Sequence, residues 1–135
     1  MNHLQYILDA IELIGKRDAS RNTYPITPLQ ELMEFRTIHV GGVRQSGKTK
    51  SLIEIAKQCP SVYIGYKDQI KHITEIGNDL KVSSSNLQDL MKIKIIPTFV
   101  LIDDASVVFN QIKAVKVYKK ILEAFGEDVV VIAMH

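Results

Sequence analysis

Two runs constrain this chain most: TFVLI (98–102) and VVVIAM (129–134). Both are continuous, rich in branched side chains, and lack the in/out alternation of a strand with one wet face. Such strands are covered on both sides. Between and before them the apolar period is helical. Leu52, Ile55 and Ala56 mark residues 48–58, and Ile70, Ile73 and Ile76 mark 67–77. A long helical segment covers 106–125 and is ended by Gly126. TIHV (37–40) and SVYIGY (61–66) read as strands, and KVSSSNLQDLMK as holding a short helix that starts near Ser85. Strands alternating with helices build parallel sheets. The expected fold is α/β: a three-layer α/β/α arrangement with about four parallel strands.

At 135 residues the chain suits one domain, with residues 1–36 forming helices that precede a core at 37–135. No stretch approaches the roughly 20 apolar residues of a membrane helix. The N-terminal segment has apolar residues at Leu4, Ile7, Leu8, Ile11 and Ile14, with Asp9 and Glu12 inside the run. It reads as an amphipathic helix over 3–16 and not as a signal peptide. Thr27 is placed to N-cap a second helix, with Pro28 at its first position, Gln30 at the third, and an end near Glu34. Cys59 is the single cysteine, which excludes an internal disulfide or a cysteine zinc cluster and sets an intracellular, cytoplasmic expectation. The net charge of +2 is too mild to argue for nucleic acid by itself. Lys113, Lys116 and Lys120 share a helix face, as a solvated surface or as a phosphate-contacting stripe.

Just after TIHV comes GGVRQSGKT (41–49), in which Gly42, Gly47, Lys48 and Thr49 fit G-x-x-x-x-G-K-[ST]. In a phosphate cradle the glycines let successive backbone N–H groups turn toward one anion, and the following helix adds its positive end. Gly42, Val43, Arg44, Gln45, Ser46, Gly47, Lys48, Thr49 and Lys50 would then line the nucleotide. Lys48 would reach the β and γ phosphates, and the Thr49 hydroxyl would ligate Mg²⁺. A structural turn is the other account of these residues. FVLIDD (99–104) is an apolar strand that delivers two carboxylates to its C-terminal edge. Asp103 there suits Mg²⁺, and Asp104 suits the orientation of an attacking water. Capping of the next helix also explains the pair.

With GVRQSGKT as Walker A and FVLIDD as Walker B, residues 24–135 resemble the P-loop NTPases. The extra strand SVYIGY between the motifs and the second carboxylate resemble the additional-strand, RecA-like division. The sheet order implied is 1-4-3-2, with VVVIAM between the Walker A and Walker B strands. His135 would then lie at the strand tip as a sensor of the γ-phosphate, where Asn or Thr is more usual. The loop VRQSGKT is similar to that of phage large-terminase ATPases, and the layout to non-hexameric helicases. That likeness makes Arg44 a candidate charge-stabilising finger. YPITPLQ (24–30) resembles the upstream adenine-reading motif, with Gln30 on the adenine edge and Tyr24 stacked on the ring. Glu is usual where Asp104 stands, and Asp is shorter by about 1.5 Å.

The resemblance implies Mg²⁺-dependent ATP binding and hydrolysis by a minimal terminase- or helicase-like ATPase, virus-encoded and acting in a host cytoplasm. It would be coupled to DNA or a DNA-handling partner, or work as a homo-oligomer. Two other functions remain: a nucleotide-dependent binding module with little turnover, and a nucleoside or nucleotide kinase.

Overall fold

A computed structural model describes residues 3–18, 27–41 and 48–135. The strands are β1 (Thr37–Val40), β2 (Ser61–Gly65), β3 (Lys81–Ser83), β4 (Phe99–Ile102) and β5 (Val130–Met134). The helices are α1 (His3–Asp18), α2 (Pro28–Glu34), α3 (Lys48–Gln58), α4 (Lys67–Ile70), α5 (Ala105–Gln111) and α6 (Ala114–Phe125). The fold is α/β with one five-stranded, all-parallel sheet in the order β1-β5-β4-β2-β3.

β2, β4 and β5 are buried at every position, which is why their sequences do not alternate. Their side chains still alternate between faces. Val62, Ile64, Val100, Ile102, Val131 and Ala133 meet Leu32 of α2, Val108 of α5 and Val117, Ile121 and Phe125 of α6. On the opposite face Tyr63, Phe99, Leu101, Val130, Ile132 and Met134 meet Ile7 and Ile14 of α1 and Leu52 and Ile55 of α3. Helices therefore cover both faces of the sheet, in three layers. Buried Arg36 ties the start of β1 to the entry of β5, with Nε donating to the Val129 carbonyl at 3.0 Å and Nη2 to that of Asp128 at 2.6 Å.

The expected count of four strands, and the order written for it, need correction. β3 pairs outside β2 and becomes the sheet edge. As expected for the run VVVIAM, β5 lies between β1 and β4. The helix expected over 67–77 stops at Ile70. Ile73 and Ile76 still drop into the α3-side core, but from irregular chain that follows α4. The short helix expected near Ser85 is a 3-10 run, Ser84–Lys92, interrupted at Asn86. The long helix at 106–125 is two helices. Ile112 is extended (φ −144°, ψ 136°), and Lys113 starts α6 afresh.

α1 packs on its own domain through Ile7 and Ile14, and the Tyr6 hydroxyl donates to the His39 carbonyl at 3.3 Å. Among the described residues no helix is long and apolar enough to cross a membrane. α6 ends at Gly126, whose φ of 82° and ψ of −165° suit glycine almost alone. Gly126→Ala is expected to cost about 1–3 kcal/mol, read as a lower midpoint in urea. An unchanged midpoint would contradict strain at that turn.

Candidate functional site

The C-terminal edge of a parallel sheet is where strand ends release side chains toward a ligand. β4 is covered on both faces up to Ile102, and the next residue, Asp103, is still 98% buried (2% exposed). By strand alternation Asp103 follows Phe99 and Leu101 onto the α3 face. The first turn of α3 meets it there: Thr49 Oγ1 donates to Asp103 Oδ2 at 2.8 Å. Two further donors converge on the same oxygen. The Tyr63 hydroxyl, from β2, lies at 2.7 Å, and Gln69 Nε2, from α4, at 2.8 Å. Oδ1 accepts the Asp104 backbone N–H at 3.0 Å. A buried carboxylate held by four donors is fixed in place and in direction.

Asp104 occupies the left-handed region (φ 46°, ψ 52°), the one positive-φ residue other than glycine among those described. Its carbonyl accepts from Val107 and Val108 N–H, so its backbone starts α5 while its carboxylate makes no capping bond. Strain of this sort gathers where a side chain must be aimed. Capping by the Asp104 carboxylate is therefore not what holds this corner.

Tyr63 and Gln69 are site residues that the sequence reading missed. The signal for Tyr63 is faint: a tyrosine in a strand covered on both faces needs an acceptor for its hydroxyl. Burial first, and then the Asp103 carboxylate, push the Tyr63 phenol far above its ordinary value, so it stays a donor. Burial pushes Tyr118 up to about 12. Both folded values exceed the unfolded value near 10. Above pH 10 the native state therefore binds more protons than the unfolded chain, and stability falls as pH rises. In melts between pH 10 and 12, Tyr63→Phe is expected to reduce the steepness of that fall, by up to about 1.4 kcal/mol per pH unit. Parallel curves for variant and wild type would overturn this assignment.

His135 continues β5, and its N–H donates to the Val40 carbonyl at 2.8 Å. Its side chain turns to the α5 face, opposite Asp103. Nε2 lies 2.9 Å from His39 Nδ1, Nδ1 lies 3.3 Å from Ser106 Oγ, and the ring sits near Phe109. His39, exposed on β1, is a further neighbour that the sequence reading missed. Gln30 is exposed on α2. Its N–H bonds the Thr27 hydroxyl at 3.1 Å as the helix cap requires, and its side chain donates to Glu34 at 3.4 Å. Lys50 is exposed on α3. Gly42, Val43, Arg44, Gln45, Ser46, Gly47, Tyr24 and the side chain of Lys48 lie outside the described residues; the Lys48 backbone opens α3.

Thr49 and Asp103 offer adjacent oxygens, the donors a hard cation prefers. Gln69 Oε1 adds a buried acceptor without a hydrogen-bond partner. Among the described residues no group of three or more His, Cys, Asp or Glu could enclose a metal.

No protein-family model matches the chain, no curated protein matches it in sequence, and no solved structure matches its fold.

Proposed function

We propose that the chain is a P-loop NTPase that binds ATP with Mg²⁺ and hydrolyses it, in the manner of a terminase- or helicase-like ATPase coupled to DNA or a DNA-handling partner. The 2.8 Å contact of Thr49 with Asp103 carries this reading. It joins the end of the G-x-x-x-x-G-K-T run to the acid at the end of β4, two segments distant in sequence whose chemistry is complementary. The position of β5 between β1 and β4 supports it.

In this reading the N–H groups of residues 42–47 wrap the phosphates, and Lys48 adds charge at the β and γ positions. Thr49 and Asp103 would hold Mg²⁺, which when bound neutralises charge on the transferred phosphoryl group. Tyr63 and Gln69 keep the Asp103 carboxylate aimed. Asp104 orients a water and takes its proton as the water oxygen bonds to the γ-phosphorus. The bond from that phosphorus to the bridging oxygen breaks, leaving ADP and phosphate. Arg44 would stabilise the spreading negative charge, His135 would sense the γ-phosphate, and Gln30 with Tyr24 would read adenine. A second reading, a nucleotide-dependent binding module with little turnover, is favoured by Asp104, a short acid fixed in the left-handed region.

The test is phosphate release from ATP with Mg²⁺, with and without DNA. Lys48→Ala is expected to weaken nucleotide binding and to remove turnover by a hundredfold or more; unchanged turnover would exclude the phosphate-loop reading. ATP binding without turnover would select the second reading.

A further inference from the structure

Along the same edge of the sheet, on the β2–β3 side, lies an open cleft of about 830 Å³. Tyr66 and Lys67 come to it from the β2–α4 turn, Ser84 and Ser85 from the residues after β3, and Lys113 and Lys116 from the break between α5 and α6. Its volume is that of a ligand site. Asp68 is the one acid on its lining against three lysines, and the first turn of α6 has no acid to offset Lys113 and Lys116. Lys57, Lys92 and Lys120 each have an ion-pair partner. Among the described residues Lys67, Lys113 and Lys116 have none, so three lysines without an ion-pair partner line one cleft beside a single acid.

We propose that this cleft binds single-stranded nucleic acid through its phosphate backbone. The lysines supply sequence-independent attraction to phosphodiesters. Tyr66 supplies a ring on which an open base face stacks, a contact that a closed duplex cannot offer. Ser85, exposed at the rim, can donate to phosphate oxygens. α4 connects the cleft to the candidate nucleotide site: Lys67 and Asp68 line the cleft, and the next residue, Gln69, bonds Asp103. The inference deepens the ATPase reading by giving its DNA partner a place, and binding is measured without nucleotide so that the two can fail separately.

The experiment is fluorescence anisotropy of a fluorescein-labelled 20-nucleotide oligothymidine against the whole chain, over 50–200 mM salt. The Lys113→Glu/Lys116→Glu double variant is expected to bind at least tenfold more weakly, with a salt slope shallower by about 1.4, since each lost single-strand contact removes about 0.7. Its thermal midpoint should match the wild type, and Lys113→Ala/Lys116→Ala serves if it does not. Tyr66→Ala should weaken binding at least fivefold. Wild-type affinity in a folded double variant, or no binding by the wild type at 50 mM salt, would overturn the proposal. So would equal binding of a duplex that is indifferent to Tyr66→Ala.

Discussion

Deletion of residues 128–135 is expected to leave the chain without a cooperative fold. β5 is not an edge: it lies between β1 and β4 and pairs with both. Its five residues are all buried, Val131 and Ala133 on one face and Val130, Ile132 and Met134 on the other. At about 1.5–3 kcal/mol for each large side chain, the loss approaches the whole stability of a small domain, about 5–15 kcal/mol. The deletion also removes the carbonyls that buried Arg36 holds at Asp128 and Val129. Circular dichroism should show no sharp melt. A cooperative transition near the wild-type temperature would contradict the central placement of β5.

Asp103→Asn is the second large effect. Asparagine keeps the shape, and its carbonyl can still face Thr49, Tyr63 and Gln69. Its amide, however, would meet the Asp104 N–H that Asp103 Oδ1 now accepts, donor against donor. The fold should survive at a cost of about 1–3 kcal/mol. The negative charge beside Thr49 is gone, so Mg²⁺ affinity in the presence of ATP, followed by calorimetry, should fall at least tenfold, and turnover at least a hundredfold. Wild-type Mg²⁺ affinity in the folded variant would remove Asp103 from the proposed site.

The sequence and the structure agree best where burial leaves no choice. The runs around Val100 and Ile132 are legible because a strand covered on both faces has no polar positions to confuse with helix. β3 is not legible, since Lys-Val-Ser is short and polar, with only Val82 buried. The break at Ile112 has no glycine or proline to announce it, and an apolar residue in extended chain there looks like one more helical position. At the site, Thr49 and Asp103 stand out through local motifs. Tyr63, Gln69 and His39 do not, because their roles depend on which strand ends the sheet sets side by side.

That sheet order also bears on how the fold is reached. β1 has one strand neighbour, β5, in a register that pairs Thr37 with Val131, so its ladder closes only when the two ends of the core meet. β2, β3, β4 and β5 find one another over shorter stretches of chain. Contacts so distant in sequence slow folding, because the loop is ordered before any bond rewards it. An early state is expected in which β2, β3, β4 and β5 are associated while β1 waits. Until β1 arrives, the flank of β5 that it will cover is exposed to other chains, the stage at which such a domain is most prone to aggregate.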